Sequence, residues 1–473
     1  MRRCAFRAPH TDRTVGKLYD LIPSQLNIYM LVKFSFHKQI VQIPASFAVD
    51  RDVDFDLLTK ALNVEYARND SLRLRFVTVD GKIKQYFLDE FHVKSIPVLH
   101  FKTKEAQEAF FQKDARSPIR FMRDETFRLF FFVGYNGYKG VYCNCTHLCM
   151  DAMGIMVFFL DLIAVYRALE TGSDLPEPLY SYEDYIKQEL LRAGNQSRLK
   201  KGEAFYRDYF ANGGEPFYAG VHGPELLLKE RKKKHKPDLH VTSAAYAPKN
   251  AHAQVLQLPI DRAVGEKIFG WCKENEVAPE TLFTFAMRTY CSAINFRTED
   301  VFWNMMCGKR MTYKEIRTGG CMAQTLQVRT RIPETATFKE GLDEVFRVRT
   351  QLFRHLSYPF VYARGMLMQM YGHTATQGVA AFMFSWLPIP ITELGDLKLD
   401  FKTYSPGYYF NPLYAICYPD PLSGGIMMHY MYRDKVVSER DVKNLHEQMV
   451  KIILRGIDDP DVTVAALMDA VER

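Results

Sequence analysis

The sequence predicts a mixed α/β fold in two halves, and three observations support this prediction. Strand-like and helix-like segments alternate along both halves of the 473 residues. A proline-rich stretch at residues 174–178 separates the two alternating series. Hydrophobic residues make up 47% and charged residues 25% of the chain, which is the composition of a globular protein with a sizeable core. We therefore predict two domains, at residues 1–178 and 179–473.

The first half contains strands, one hairpin turn and two helices. Segments rich in β-branched and aromatic residues predict strands at residues 39–49, 72–79, 82–88, 127–135 and 138–146. The Asp80-Gly81 pair predicts a tight hairpin turn between the second and third of these strands. Apolar residues at helical spacing predict helices at residues 54–68 and 154–170.

The second half repeats the alternation after a helical region. Residues 182–210 predict one long amphipathic helix or two in succession. Residues 212–249 contain glycines, prolines and a basic run, and we expect little regular structure there. Further strands are predicted at residues 301–307, 324–332, 379–386, 397–404, 413–418 and 425–432. Further helices are predicted at residues 261–275, 279–295, 339–355 and 437–457.

The charge balance gives no argument for nucleic-acid binding. Lys and Arg number 62 against 55 Asp and Glu, so the net charge of +7 is small for this length. The basic run at residues 229–236 lacks interleaved aromatic residues, and we interpret it as a solvated linker. The alternative is a docking patch for an acidic partner or a phosphate-bearing donor.

No segment of the sequence predicts membrane insertion or export. The best apolar run, residues 155–166, is interrupted by Asp161 and is shorter than the ~18 residues of a transmembrane helix. The basic N-terminus, residues 1–7, is not followed by the apolar stretch of a signal peptide. We therefore expect a cytoplasmic protein without a membrane span.

The nine cysteines do not have the spacing of a disulfide framework. Cys143, Cys145 and His147 alternate along a predicted strand, so their side chains share one face. Ligands on a flat strand lie about 7 Å apart, which does not suit the tetrahedral coordination of zinc. We expect free buried thiols and no bound metal.

His147 and Asp151 are the candidate functional residues that the local sequence suggests. An apolar strand ends just before His147, and a helix begins after Asp151. A histidine at the mouth of a buried strand can project into a cleft, and its ordinary pKa suits general acid–base chemistry. The same pattern also fits a structural histidine and an aspartate that caps the helix. Local residues alone leave both interpretations open.

Six motifs, in order along the chain, carry a resemblance to a known family. They are LIPSQ at residues 21–25, ARNDSLRLRF at 67–76, HLCMD at 147–151, SYEDY at 181–185, GKR and GCMAQTLQVR between residues 308 and 329, and HLSYPF at 355–360. Together they resemble the motifs of condensation domains of nonribosomal peptide synthetases. These domains belong to the chloramphenicol-acetyltransferase-like acyltransferase superfamily. His147 and Asp151 match the second His and the Asp of the family's HHxxxDG motif.

The resemblance implies two chloramphenicol-acetyltransferase-like lobes of α/β (α+β) fold, forming a V-shaped pseudo-dimer with a tunnel between them. The family's catalytic histidine lies in that tunnel, which implies that His147 is the general base or orients the nucleophile. The family's Asp is structural and forms a salt bridge with an Arg, which here implies Asp151 with Arg310. The resemblance further implies four residues of the substrate tunnel, Thr146, Ala152, Gly154 and Gln324.

Three positions depart from the family pattern. Thr146 stands in place of the first His, Ala152 in place of a Gly, and Gln324 in place of an Asn. Alanine keeps the backbone amide that has been proposed as an oxyanion donor, but it adds a methyl group. The departures argue against an ordinary peptide-elongating domain and are compatible with acyl transfer.

The resemblance implies an enzyme, a freestanding condensation-type acyltransferase, because the sequence contains no adenylation or carrier domain. Its acyl or aminoacyl donor would arrive on the phosphopantetheine arm of a carrier protein or of coenzyme A, without a bound cofactor. The acceptor would be a small amine and the product an amide. Two alternatives stay open: a coenzyme-A-dependent O-acyltransferase that forms esters, and a catalytically silent scaffold that binds carrier proteins. We expect a monomer, because the two-lobed family completes its site within one chain.

Overall fold

The structure is a computed structural model that describes residues 16–123, 126–387, 399–420 and 423–472. Contacts within the chain define two units. The first contains the described residues within 1–196, 308–323 and 391–407, and the second contains the other described residues. The chain thus leaves the first unit after residue 196 and returns to it twice. This division differs from the predicted boundary between residues 178 and 179, since residues 179–196 belong to the first unit.

The first unit contains two sheets and several helices. Its strands are β1 (Tyr19–Asp20), β2 (Gln42–Val49), β3 (Leu74–Val79), β4 (Lys82–Phe87), β5 (Val98–His100), β6 (Phe127–Val133), β7 (Lys139–Thr146) and β12 (Leu399–Thr403). Its helices are α1 (Pro23–Phe34), α2 (Phe55–Arg68), α3 (Lys104–Ala115), α4 (Ala152–Thr171), α5 (Tyr182–Ala193) and α10 (Tyr313–Ile316). In the described part of this unit, the larger sheet has the order β12-β2-β7-β6-β5 and the smaller sheet has the order β1-β4-β3.

The hairpin of β3 and β4 shows how the local sequence sets the fold. Asp80 and Gly81 have φ angles of 50° and 73°, so both residues adopt a left-handed backbone. Two-residue hairpin turns of type I′ require this conformation, which glycine and aspartate tolerate best. Val79 and Lys82 face each other across the turn, and the predicted hairpin is confirmed.

Helix α4 contributes a largely apolar set of buried side chains to the first unit's core. Asp151 caps its N-terminus, and Gly172 ends it with a φ angle of 70°. The Phe159 ring stacks on Phe47 of β2 with 5.3 Å between the ring centroids. Among the described residues, α4 is the one helix long and apolar enough to cross a membrane, and more than half of its most apolar part is buried inside the protein. Packing in the core accounts for this composition.

The second unit contains a single mixed sheet within the residues that the structure describes. Its strands are β8 (Ala253–Ile260), β9 (Asp300–Cys307), β10 (Gln324–Arg331), β11 (Met383–Trp386), β13 (Leu413–Pro419) and β14 (Ile426–Arg433). Its helices are α6 (Gln196–Ala211), α7 (Glu225–Lys234), α8 (Arg262–Glu274), α9 (Pro279–Ile294), α11 (Phe338–Arg354), α12 (Phe360–Tyr371), α13 (Glu439–Asp458) and α14 (Val464–Asp469). The strand order is β10-β9-β11-β13-β14-β8, with β11 parallel to both of its neighbours.

One supersecondary segment occurs in both units. In the first unit β7 pairs antiparallel with β2 and β6 and is followed by α4. In the second unit β14 pairs antiparallel with β8 and β13 and is followed by α13. Both strands have 8 residues and both helices have 20. We call residues 146–151 the first junction and residues 433–438 the second junction. Each runs from the last strand residue to the residue that caps the helix.

The structure corrects two expectations about the middle of the chain. Residues 212–249, where we expected little regular structure, contain α7 and buried side chains such as Tyr218 and Val241. The basic run, interpreted as a solvated linker, lies largely on α7, whose Leu227 and Glu230 are buried. Its cationic side chains occupy the last turn of α7, where the helix dipole favours positive charge. Residues 182–210 form two successive helices, α5 and α6.

Other differences concern short elements and chain assignment. The sequence patterns did not predict several elements that the structure contains, namely β1, β5, β8, α1, α3, α10, α12 and α14. The strand predicted at residues 397–404 is β12, and it pairs with β2 in the first unit rather than with the second half. Residues 397–398 lie outside the described residues. The N-terminal residues 1–7, used to argue against a signal peptide, also lie outside the described residues.

Candidate active site

The first junction begins with a turn that hydrogen bonds hold in place. The His147 N–H donates to the Val41 carbonyl oxygen at 2.7 Å. The buried Gln25 side chain donates from Nε2 to the Leu148 carbonyl oxygen at 3.0 Å. These bonds fix the backbone at His147, whose side chain is half-buried. The backbone that carries the imidazole therefore has a defined location at the end of β7.

Burial lowers the pKa of His147 below its ordinary value of 6.5, because the protonated ring is poorly solvated. The charge of Asp151 and hydrogen bonds to backbone groups of His147 and Met150 act in the opposite direction without cancelling the shift. The imidazole is therefore neutral at neutral pH. A neutral imidazole can take a proton from a nucleophile.

Asp151 joins the start of α4 to a segment far along the chain. Its Oδ1 accepts the Gly154 N–H at 2.8 Å, which is the capping bond of α4. Its Oδ2 accepts the N–H groups of Met322 and Ala323 at 2.8 and 2.9 Å. These donors would otherwise be buried without a partner, so the carboxylate stabilises both segments.

Arg310 supplies the positive charge that Asp151 requires. Its Nη1 lies 2.8 Å from Asp151 Oδ2, and the two side chains are only 4% and 3% exposed. Its Nη2 donates to the Gly320 carbonyl oxygen at 3.1 Å. Burial alone would raise the pKa of Asp151, but Arg310 and the N–H donors outweigh burial and lower it below its ordinary value. The structure thus brings together the two residues that the resemblance pairs.

Two glycines permit the close contact between α4 and residues 308–323. A Cβ atom on Gly154 would lie 2.5 Å from the Gly320 carbonyl oxygen. A Cβ atom on Gly320 would lie 2.2 Å from the Tyr182 ring, and Gly320 has a φ angle of 92° that side chains disfavour. Gly154, which the resemblance placed in the tunnel, packs against this backbone.

The other tunnel candidates occupy three different positions. Thr146, the last residue of β7, is 1% exposed, and its Oγ1 has no hydrogen-bond partner in the described structure. Ala152 is the first residue of α4 and is half-buried. Gln324 begins β10 in the second unit, where its Nε2 donates to the Tyr358 carbonyl oxygen at 2.9 Å.

Cys321 is a neighbour of His147 that sequence reasoning did not single out. Its Sγ lies 3.7 Å from His147 Nδ1, and its side chain is fully buried. Burial raises the pKa of this thiol well above its usual value, so Cys321 is a neutral group. Residues 321 and 147 are far apart in sequence, and no local pattern indicates their contact.

The described cysteines are all free and buried, whereas Cys4 lies outside the described residues. Within the described ranges, no group of His, Cys, Asp and Glu side chains is arranged to hold a metal ion. The first junction thus presents the neutral imidazole of His147 and the carboxylate of Asp151, which pairs with Arg310 and caps α4.

A family model described as "Condensation domain" matches residues 15–472, which is nearly the whole chain. The chain belongs to the condensation-domain family. Condensation domains are acyltransferases that form amide bonds in nonribosomal peptide synthesis. Their acyl donors are carried on phosphopantetheine or coenzyme A. The resemblance that the six motifs indicated is confirmed.

Curated relatives of this condensation domain are large synthetases. Surfactin synthase subunit 1 of Bacillus subtilis (strain 168) is 21% identical over 461 residues, which cover 95% of this chain and 12% of the relative. Bacitracin synthase 1 of Bacillus licheniformis is 20% identical over 484 residues, covering 98% of this chain and 8% of the relative. The chain therefore spans a small fraction of the length of these relatives.

Solved condensation domains have the same fold. The first condensation domain of the calcium-dependent antibiotic synthetase, in complex with a substrate analogue, has a TM-score of 0.77 at 16% identity, covering 96% of this chain and 99% of that one. The starter condensation domain of rhizomide synthetase RzmA, as a mutant in complex with C8-CoA, also has a TM-score of 0.77 at 16% identity, covering 95% and 97%. The X-domain in complex with OxyB from teicoplanin biosynthesis has a TM-score of 0.72 at 17% identity, covering 98% and 97%. These structures confirm the predicted α/β fold class.

Proposed function

We propose that this condensation domain transfers an acyl or aminoacyl group from a pantetheine thioester to an amine, with His147 as the general base. The neutral imidazole of His147 at the first junction carries the proposal, because a base must be deprotonated before it acts. Membership of the family supports amide formation as the reaction class.

The proposed reaction forms a C–N bond and breaks a C–S bond. The acceptor amine attacks the thioester carbonyl carbon while His147 takes a proton from the amine nitrogen. The tetrahedral intermediate then expels the pantetheine sulfur, and the protonated His147 returns the proton to that sulfur. The products are an amide and a free thiol, and His147 ends in its neutral form.

The N-terminus of α4 is the proposed site of oxyanion stabilisation. The first N–H groups of a helix have no partner within the helix, and the helix dipole favours negative charge beside them. The Ala152 N–H is the proposed donor, at the position that the family motif implies. The charge of Asp151 would oppose an oxyanion nearby, but the ion pair with Arg310 compensates that charge.

Asp151 and Arg310 are positioning residues in this proposal. Their ion pair, together with the bonds to Met322 and Ala323, holds the start of α4 against residues 320–323. Thr146, Ala152 and Gln324 stay proposed tunnel residues, while the contacts of Gly154 support a packing role.

The proposed donor is a thioester of coenzyme A or of a carrier protein, since both present a pantetheine arm. The RzmA starter domain, which has the same fold, was solved in complex with C8-CoA. The net charge of +7 favours the approach of anionic donors. We also propose a cytoplasmic location and a monomeric enzyme.

Thiol release from a panel of acyl-coenzyme A and acyl-carrier thioesters, mixed with amines and alcohols, tests the proposal. Mass spectrometry identifies the products. We expect amide products and acceptor-dependent release that falls by ~100-fold or more in His147→Ala, since a general base typically contributes 10²–10⁴-fold. His92→Ala, which removes an exposed histidine of the same unit, is the matched control and retains full activity.

Release that is equal in wild type and His147→Ala would remove His147 from the mechanism. Ester products would replace amide formation with O-acyl transfer, which shares the same base. Comparison of coenzyme A with carrier-bound donors identifies the physiological thioester class.

A partner-binding scaffold is the second candidate function. The departures from the family motif at Thr146 and Ala152 favour it, and the X-domain of the same fold was solved in complex with OxyB. Carrier-protein binding that is equal in wild type and His147→Ala, without thiol release from any donor, would select this candidate.

A further inference from the structure

A cavity lies within the second unit. Its lining residues come from β9, β10, α12 and nearby loops, and all of them belong to the second unit. The volume of the cavity is ≈ 410 Å³, which includes open solvent at its mouth. The proposed acyl transfer assigns no role to this cavity.

Two buried amide side chains line the cavity with oxygens that lack partners. Asn304 on β9 and Gln327 on β10 face each other directly across the strand pair. They are 8% and 4% exposed, and neither Asn304 Oδ1 nor Gln327 Oε1 accepts a hydrogen bond within the described residues. Asn304 Nδ2 donates to Asn411 Oδ1 at 3.1 Å, which orients the Asn304 amide. Directly opposed residues share one face of a sheet, so the two amide side chains lie side by side.

Arg364 on α12 supplies a positive charge to the same cavity. Among the described residues it has no carboxylate partner, and its recorded bond is from Nη2 to the Ala375 carbonyl oxygen at 3.3 Å. Its Cζ lies 4.9 Å from the centroid of the Phe410 ring. Burial lowers the pKa of Arg364, as expected for a cation that no anion compensates.

The remaining walls of the cavity are mostly apolar and aromatic. Phe302, Phe360 and Phe410 contribute rings to the lining. His373, also in the lining, is already engaged with Glu215 at 2.8 Å, so this carboxylate does not neutralise Arg364. Binding pockets for small molecules typically combine such apolar walls with a few convergent polar groups.

We propose that this cavity binds a small α-amino acid with an apolar side chain. The carboxylate of the ligand pairs with Arg364, and its ammonium group donates to the oxygens of Asn304 and Gln327. Guanidinium groups bind carboxylates through charge-assisted hydrogen bonds, and buried acceptors require donors. The apolar side chain of the ligand lies against the phenylalanine rings. This proposal does not rest on the proposed acyl transfer.

Isothermal titration calorimetry of the full chain with L-alanine, L-valine and L-leucine tests the proposal. Each amino acid is compared with its carboxamide, which lacks the carboxylate, and with the matching carboxylic acid, which lacks the ammonium. We expect both analogues to bind about tenfold or more weakly, because hydrogen bonds to charged groups are lost.

Two variants and a control locate the binding. Arg364→Gln removes the cation, and Gln327→Met removes one acceptor while keeping the side-chain length; each is expected to weaken binding about tenfold or more. Arg354→Gln, which changes an exposed arginine of α11, leaves binding unchanged. If Arg364→Gln does not fold, Gln327→Met decides the result.

Three results would overturn the proposal. One is equal binding of an amino acid and its carboxamide, which would remove the role of Arg364. Another is undiminished binding in Gln327→Met, which would place the ligand elsewhere. The third is no binding of any amino acid at millimolar concentration, which would mean that ordered water alone occupies the cavity.

Discussion

The first and second junctions have the same length and topology but differ in their buried charges. In the first, the capping carboxylate of Asp151 forms an ion pair with Arg310. In the second, Ser438 caps α13 through a reciprocal capping box with Asp441. The buried cation of the second junction, Arg433, donates to backbone carbonyl oxygens of residues 245, 247, 250 and 410.

The difference shows that the same strand-to-helix connection can hold different charged residues, and that these residues determine the chemistry possible at each junction. Burial lowers the pKa of Arg433 to about 10, because carbonyl oxygens compensate a cation less well than a carboxylate does. Asp434 occupies the position after the strand that His147 occupies in the first junction, and its Oδ2 lies 2.7 Å from His252 Nδ1. The second junction thus has an aspartate at the position where the first junction has its proposed base.

Arg310→Met should produce the largest effect on stability and activity together. It leaves the Asp151 carboxylate buried without its ion-pair partner, which typically costs ~3–5 kcal/mol. We expect a loss of that size in the free energy of unfolding, measured by urea denaturation. Because Asp151 positions the start of α4, kcat for thiol release should fall as well.

Arg433→Met is the matched change at the second junction. It leaves several carbonyl oxygens without a donor and should also lower the free energy of unfolding. It should not change kcat per folded molecule, because no proposed catalytic group contacts it. Equal losses of kcat in both variants would contradict the distinction between the junctions.

The double variant Asp151→Asn/Arg310→Met should regain part of the stability that Arg310→Met loses, because neither partner of the ion pair then stays buried with an uncompensated charge.

A residue of β14 should make the free energy of unfolding depend on pH in the acid range, whereas the equivalent residue of β7 should not. Four residues before the strand end, β14 has His429 and β7 has Tyr142. Burial lowers the pKa of His429 to about 4, so the folded state binds its proton less readily than the unfolded chain does. The free energy of unfolding therefore falls as pH drops from about 6.5 towards 4, by ~1.4 kcal/mol per pH unit for this group.

His429→Leu should reduce that slope, measured by urea denaturation at a series of pH values. Burial raises the pKa of Tyr142, so this side chain is neutral over the same range and Tyr142→Phe should leave the slope unchanged. An unchanged slope in His429→Leu would mean that His429 does not drive the acid effect. Burial also lowers the pKa values of His147, His222, His355 and His446, so these histidines contribute to the slope that stays.

The sequence predicted the parts of the first junction that depend on neighbouring residues. An apolar strand, a capping aspartate and an apolar helix define β7 and α4 by local pattern. The partner Arg310 lies 159 residues from Asp151, so only the family motif indicated it. The contact of Cys321 with His147 and the opposed pair Asn304 and Gln327 depend on chain path and strand register. No local pattern encodes these, and they required the structure.

Thr146→Val should have the smallest effect on the free energy of unfolding, and the sign of that effect tests whether the Thr146 hydroxyl has a partner. The Thr146 hydroxyl is buried and accepts or donates no hydrogen bond among the described residues, so it carries a desolvation cost without compensation. Valine has nearly the same shape, and we expect the free energy of unfolding to rise by about 1 kcal/mol. Thr242→Val in the second unit is the matched variant, because the Thr242 hydroxyl is also buried without a partner. If Thr242→Val raises the free energy of unfolding and Thr146→Val lowers it, the Thr146 hydroxyl binds a group outside the described residues. That result would fit a role for Thr146 in the proposed tunnel.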